Sequence, residues 1–240
     1  MYGTRARIGY TSPLLLTEVF AYEFYMVAPK GVTLILSSGV LWESTRREVE
    51  HTLALHIEAA REMARAGASL VVLGGIPINL AEGFARVDDL IKRTERACGV
   101  PVTTSVTAQI NALSTIGAKE IGVVQIQDPP PKPRPEDDYL SLSGFHVETT
   151  WGVGSQPSQL GRLPSAANSR VARALAKEHP QVDTLYFPGP HRAVIDQVDS
   201  LEQELGMNVV TASQAIFWEA LRRSGIEEPI PGFGRLFREF

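Results

Sequence analysis

The sequence is poor in cysteine, because a single residue, Cys98, carries a thiol among 240. This excludes a disulfide within the chain and a cysteine-based metal cluster. Cys98 follows a helical pattern over Val87 to Ala97 and directly precedes Gly99. Since a reactive thiol needs an electropositive, accessible setting, we interpret Cys98 as structural.

Long apolar runs and a strong excess of charge are also missing. The longest apolar runs, such as Leu70 to Leu73, are far too short to span a bilayer. The net charge of -4, with both signs interspersed, offers no basic stripe for nucleic acid and no polybasic membrane patch. Residues Met1 to Arg5 lack the apolar region of a signal peptide. We expect a cytoplasmic protein without nucleic-acid or membrane partners, and the sequence is compatible with a homo-oligomer.

What is present is an internal repeat, in which three segments recur in the same order at an offset of roughly 110 residues. The pairs are Ile8–Tyr10 with Ile121–Val123, Leu70–Gly75 with Thr184–Gly189, and Gly99–Thr104 with Gly206–Thr211. This predicts a duplicated half-domain, in which the equivalent glycines Gly75 and Gly189 face each other across a cleft.

Short β-rich runs alternate with helical patterns in both halves, which is typical of parallel sheets covered by helices. We predict an α/β fold of two pseudo-symmetric lobes, each a four-stranded parallel sheet flanked by helices, with the site in the cleft between them. The lobes would span residues 1–117 and 118–225, and a tail, residues 226–240, would pack back on them. Predicted strands are Arg7–Ser12, Val32–Ser37, Leu70–Leu73, Val102–Thr104, Glu120–Val124, Phe145–Thr149, Thr184–Phe187 and Asn208–Val210. Predicted helices include Glu43–Ala66, Val87–Ala97, Thr107–Ile116, Ser165–Lys177, Val194–Leu205 and Ser213–Ser224.

The segment Asp128–Pro135 interrupts this alternation with five prolines in eight positions. Proline lacks a backbone donor and has a fixed φ, which excludes central strand and helix here. The segment follows the first strand of the second half, where α/β folds place binding loops. It is either a stiff polyproline linker or a lid over the cleft.

The carboxyl ends of the predicted strands, where parallel sheets bind ligands, carry glycines, hydroxyls and amides. They comprise Ser12–Pro13, Gly74–Pro77, Thr104–Ser105, Gln125–Gln127, Trp151–Gly152, Gly189–His191 and Thr211–Ser213. Backbone N–H groups near Gly75 and Gly189 would suit a small anion such as a carboxylate, unless these glycines only make tight turns. The chain has neither a dinucleotide fingerprint nor a P-loop.

Of five histidines, His191 alone lies at a predicted strand end. An imidazole titrates near neutrality, so His191 is the candidate acid or base; the alternative is a surface or capping histidine. His51 and His56 are five residues apart, which does not align them on one helix face for a metal. We interpret His146 and His179 as structural or solvated.

Three segments carry a resemblance to a known family: Gly99–Ser105, Ala212–Ala215 with Trp218 and Leu221–Arg222, and the tail Pro231–Phe237. Together with the two-lobed repeat they resemble the aspartate/glutamate racemase superfamily, in the branch of arylmalonate decarboxylase and maleate isomerase. The resemblance covers nearly the whole chain.

This resemblance implies cofactor-free chemistry next to a carboxylate. The racemases and maleate isomerases of the superfamily use a cysteine in both lobes, and arylmalonate decarboxylase pairs a first-lobe glycine with a proton-donating second-lobe cysteine. Gly75 matches that glycine, whereas Gly189 stands where the cysteine is expected. Pro13 matches a proline lining the family pocket. Ile76 and Pro77 replace a hydroxyl pair, and Gln127 stands where a tyrosine is expected.

The resulting hypothesis is a decarboxylase-like or isomerase-like protein, without cofactor or metal, that acts on a small carboxylic acid. His191 would transfer the proton. The substrate-binding candidates are Pro13, Gly74, Gly75, Ile76, Gln127, Gly189 and Pro190. The alternative is a catalytically inactive carboxylate-binding protein of the same fold.

Overall fold

Eight parallel strands form two separate four-stranded sheets in the computed structural model, which describes residues 2–15, 17–39, 41, 44–130 and 135–240. The strand orders are β2-β1-β3-β4 and β6-β5-β7-β8, the same pattern twice. The bounds are β1 Ala6–Ser12, β2 Val32–Ser38, β3 Leu70–Leu73, β4 Val102–Thr104, β5 Glu120–Gln125, β6 His146–Gly152, β7 Thr184–Phe187 and β8 Asn208–Thr211. The predicted fold class is confirmed.

Helices connect the strands. Their bounds are α1 Glu18–Val27, α2 Arg46–Arg65, α3 Ile76–Asn79, α4 Val87–Cys98, α5 Ser105–Thr115, α6 Pro135–Leu142, α7 Ser165–Glu178, α8 Val198–Leu205, α9 Ala212–Arg223 and α10 Arg235–Glu239. Thr45 caps α2, since its hydroxyl accepts a hydrogen bond from the Glu48 amide at 3.3 Å. Among the described residues, no helix combines the length and apolar character that a membrane span requires.

Matching helix caps confirm the repeat at the level of local geometry. Gly99 and Gly206 end α4 and α8 in the left-handed conformation, with φ of 75° and 65°. Thr104 and Thr211 cap α5 and α9, each accepting a hydrogen bond from the amide three residues later. The two halves therefore use the same signals to leave a strand and enter the next helix.

The short helices α3 and α10 were not predicted, and three further features differ from prediction. Helix α1 was not predicted, because its outer face carries the large apolar side chains of Tyr22 and Tyr25, which weakens the amphipathic pattern. The predicted helix Val194–Leu205 begins with a 3₁₀ turn over Ile195–Gln197. Exclusion of helix from the proline-rich segment is wrong at Pro135, which begins α6, because the first helical position tolerates proline. Residues 131–134 of that segment lie outside the described residues, so the linker and lid hypotheses remain predictions.

The lobes meet through an apolar core that joins β1, α1, α5 and α9. Tyr10 stacks on Phe20 with ring centroids 3.9 Å apart, and Phe20 contacts Phe217 of α9 edge-on at 4.8 Å. The tail adds buried Leu236 and Phe237, and the Arg235 amide donates to the Glu202 carboxylate at 2.6 Å. The first lobe, meaning β1–β4 with its helices, thus packs directly against the second, meaning β5–β8 with its helices.

Candidate functional site

One hydrogen bond joins the strand ends of the two lobes. Ser12, the last residue of β1, has its Oγ 3.2 Å from Nε2 of His191, which lies in the loop after β7. Both strands are central in their sheets, and both side chains are buried. The structure therefore brings the predicted His191 to the carboxyl end of a first-lobe strand, where a ligand of a parallel sheet is expected.

The two predicted glycines share one backbone conformation but not one environment. Gly75 has φ +85° and Gly189 has φ +86°, a region that favours glycine. A Cβ on Gly75 would lie 2.6 Å from Cγ of Pro13, whereas a Cβ on Gly189 would lie 3.5 Å from its nearest atom, in the side chain of Ile126. Position 75 therefore has no room for a side chain, because Pro13 fills the space. Position 189, after β7, has room for one.

Gly74 is a glycine for a steric reason. A Cβ at this position would collide with the carbonyl oxygen of Thr11 and lie 2.6 Å from the Tyr10 hydroxyl. The Gly74 amide donates to that same Thr11 carbonyl at 2.9 Å. The close approach of β3 to β1 therefore requires Gly74, whatever its role toward a ligand.

His191 lies among aromatic rings, with Tyr10 and Phe20 centroids 6.4 and 5.9 Å from its own. Its Nδ1 is buried and accepts or donates no hydrogen bond among the described residues. Burial lowers the pKa of His191 to about 4, because the cation loses its hydration. The expectation of titration near neutrality is therefore wrong, and the imidazole is neutral at pH 7.

Ser12 determines which imidazole nitrogen carries the proton. Its hydroxyl lies 2.9 Å from the Leu14 carbonyl, to which it donates, and it accepts from the Leu14 amide at 3.2 Å. With the hydroxyl proton on the Leu14 carbonyl, His191 donates from Nε2 to Ser12 and keeps the lone pair on Nδ1. His191 then offers a buried nitrogen lone pair and an N–H that is linked to a hydroxyl.

A second buried histidine lies beneath the end of β1. Nδ1 of His56 is 3.0 Å from the Thr11 hydroxyl, which also accepts from the Gly74 amide at 3.3 Å. Burial lowers the pKa of His56 to about 4. Sequence reasoning considered His56 only as a partner for His51. Its position on the buried face of α2, in helical spacing with Leu53, would have indicated a core residue.

Two further charged residues were missed, and both hold the loop after β7. Arg192 is 1% exposed, donates to the Val124 carbonyl and lies 5.0 Å from the Phe187 ring centroid. Glu23 of α1, 3% exposed, accepts hydrogen bonds from the second lobe. Burial raises the pKa of Glu23. Sequence patterns give no signal for Glu23, since its helix was not predicted.

Comparison with known proteins assigns the chain to a family. A family model described as arylmalonate decarboxylase matches residues 34–237. The chain belongs to the arylmalonate decarboxylase family. Arylmalonate decarboxylase of Bordetella bronchiseptica is 28% identical over 192 residues, which cover 76% of this chain and 77% of that protein.

Solved structures of this family and its neighbours share the fold. A crystal structure of arylmalonate decarboxylase matches with a TM-score of 0.81 at 23% identity, covering 96% of this chain and 98% of that chain. The maleate isomerase Iso from Pseudomonas putida S16 matches with a TM-score of 0.82 at 18% identity, covering 98% of both chains. The predicted superfamily branch is confirmed.

The resemblance to arylmalonate decarboxylases implies a cysteine at position 189. The thiol of this chain, Cys98, lies at a different place. Sγ of Cys98 is at the end of α4, 3.5 Å from the Val100 carbonyl oxygen, and packs on the core between α2, α4 and β3. Pro190 is buried beside His191, and Gln127 is half-buried with its carbonyl against Gly152. Ile76 begins the short helix α3. The roles of these residues toward a ligand remain predictions.

An exposed cluster of possible metal ligands lies elsewhere on the second lobe. Nδ1 of His146 is 2.6 Å from a Glu120 carboxylate oxygen, and Glu148 is nearby. Exposed groups of this kind are common without a metal. We therefore interpret it as a hydrogen-bonded side-chain pair between neighbouring strands β5 and β6.

Proposed function

We propose that this protein catalyses cofactor-independent proton transfer at the carbon next to a carboxylate, as a decarboxylase or isomerase, with His191 in the role of the family cysteine. The observation that carries the proposal is the contact of 3.2 Å between Ser12 Oγ and His191 Nε2. It joins a titratable side chain from one lobe to a strand end of the other. Family membership supports the substrate class, a small carboxylic acid.

The buried imidazole suits a proton shuttle whose acid form is strong. With a pKa of about 4, roughly one His191 in a thousand is protonated at pH 7, but that imidazolium donates readily. In a decarboxylation, CO₂ would leave and the electron pair would stay on the α-carbon. His191 would then pass a proton taken from water to that carbon. In an isomerisation or racemisation, the Nδ1 lone pair would accept the α-proton and return it.

Binding of the carboxylate would fall to the backbone around Gly75, Ile76 and Gly189, with Pro13, Gly74, Gln127 and Pro190 shaping the walls. Both glycines have positive φ and carry no side chain that would cover their backbone amides. Ser12 directly precedes Pro13, and His191 lies two residues after Gly189, so their contact supports a shared binding edge for the two glycine loops.

The test is a turnover assay with a matched pair of variants. Arylmalonates, maleate and amino acids would be screened for CO₂ release, isomerisation and deuterium exchange at the α-carbon. We expect His191→Gln to lower the rate by about 10² to 10⁴ and His51→Gln, on the exposed face of α2, to leave it unchanged. The rate should also rise as pH falls toward 4 if protonated His191 is the donor. Turnover unaffected by His191→Gln would rule out the proposed mechanism.

The second candidate function is a catalytically inactive carboxylate-binding protein. It is favoured by the 3% exposure of His191, which restricts access of a substrate to the imidazole. Tight calorimetric binding of a small acid, together with no turnover of any substrate in the screen, would establish this function instead.

A further inference from the structure

Glu23 is a carboxylate in an apolar interior. It lies on α1 next to the buried Phe24 and one turn from Phe20. Its side chain is 3% exposed. Carboxylates are rarely buried without partners, because dehydration of the charge costs several kcal/mol, of the order given for buried ions. Its hydrogen-bond partners offset only part of this cost, because the pKa of Glu23 stays raised.

Within the described part of the chain, Glu23 has three hydrogen-bond partners, and all are donors from the opposite lobe. Its Oε1 accepts from the amides of Val194 at 2.8 Å and Ile195 at 2.9 Å. Its Oε2 accepts from the Ser213 hydroxyl at 2.6 Å. One first-lobe side chain thus joins the loop after β7 to the start of α9.

The loop segment 191–195, which carries His191, is attached to its surroundings at every residue. His191 contacts Ser12, Arg192 donates to the Val124 carbonyl, and the Ala193 carbonyl accepts from the side-chain Nδ2 of Asn168 at 2.9 Å. Glu23 holds the remaining two residues. Among the hydrogen bonds of the described residues, those of His191 and of Glu23 join the segment to the first lobe. Val194 follows His191 by three positions, so the two attachments are at most about 11 Å apart along the chain.

We propose that Glu23 is a positioning residue that fixes segment 191–195 on the first lobe and thereby sets the place of the His191 imidazole. Its catalytic meaning rests on the function proposed above, whereas the geometric claim does not. Loss of the carboxylate would leave the Val194 and Ile195 amides without their acceptor in the interior. The segment would then shift toward water and take His191 away from Ser12.

The experiment reads the His191 imidazole directly by NMR of ¹⁵N-labelled histidine side chains as a function of pH. The His191 signals are assigned from their absence in His191→Gln. In Glu23→Ala we expect these signals to shift and the pKa of His191 to rise toward 6.5 by about one unit or more, since hydration of the imidazole is restored. Glu23→Gln should keep the wild-type signals, because its oxygen still accepts from both amides.

Glu219→Ala is the matched control. Glu219 is also a buried carboxylate between the lobes, accepting from Thr103 and Asn111, but it does not contact segment 191–195. The Glu219→Ala variant should be less stable than the wild type, but its His191 signals should not shift. If Glu23→Ala only lowers stability and keeps wild-type His191 signals, the proposal is wrong.

Two arrangements keep the test decisive. If Glu23→Ala does not fold, Glu23→Asp takes its place. The aspartate is one methylene shorter, which should withdraw the carboxylate from the amides and shift the His191 signals in the same direction. Unchanged His191 signals in Glu23→Asp would also refute the proposal. A His191 shift in a protein that turns over no substrate would refute the proposed function and leave the positioning role established.

Discussion

Acidification should destabilise this protein through two buried histidines, His56 and His191. In the folded state both have a pKa of about 4, against 6.5 as the ordinary value. Well above pH 6.5 both histidines are neutral whether the chain is folded or unfolded, so they do not lower the free energy of unfolding. Between pH 6.5 and 4 the two histidines are protonated in the unfolded chain but stay neutral in the folded chain. The free energy of unfolding therefore falls as pH falls.

The size of the effect follows from the shifts. A difference of about 2.5 units, at about 1.4 kcal/mol per unit, amounts to about 3 kcal/mol for each histidine below pH 4. At pH 5 each histidine would already have lowered the free energy of unfolding by about 2 kcal/mol. Glu23 acts in the opposite direction. Its raised pKa lets the folded state take up a proton first, so its contribution improves as pH falls.

Urea unfolding followed by circular dichroism at pH 7.5, 6 and 5 measures this dependence. We expect His191→Gln to remove about half of the histidine contribution, or roughly 2 kcal/mol of the stability lost between pH 7.5 and 5. His56→Gln should do the same. The comparison uses the pH slope, so the intrinsic cost of each substitution cancels. His51→Gln is the control, because this exposed side chain is solvated in both states. A slope for His191→Gln equal to that of the wild type would refute the reasoning.

Two further predictions concern the paired glycines. Gly75→Ala and Gly189→Ala share the cost of a non-glycine residue at φ near +85°, about 1 to 3 kcal/mol. Only Gly75→Ala should add a further 1 to 3 kcal/mol or so of overpacking against Pro13, and equal losses in thermal or urea unfolding would contradict this. Gly189→Cys, which the space beside Ile126 accommodates, should raise CO₂ release from arylmalonates above the wild-type level. No gain in a folded Gly189→Cys protein, with Gly189→Ser as control, would show that position 189 does not present a side chain to the substrate.

The sequence by itself determined the architecture of the two lobes. Short, mostly apolar runs, such as Leu70–Leu73 and Thr184–Phe187, were predicted to the residue, because fully buried parallel strands need apolar side chains on both faces. The repeat and its caps determined the order of elements in each half. Both are local signals, readable without knowing what lies opposite. Helix α1 was not predicted because aromatic residues lie on both its buried and its exposed face.

Tertiary structure alone decided the chemistry of the candidate site. Ser12 and His191 are 179 positions apart, and Glu23 and Val194 are 171 apart, so no local pattern relates them. The neutral state of His191 depends on the rings of Tyr10 and Phe20 that exclude water from it. A pKa is set by the surroundings of a group, and those surroundings exist only once the two lobes have packed together.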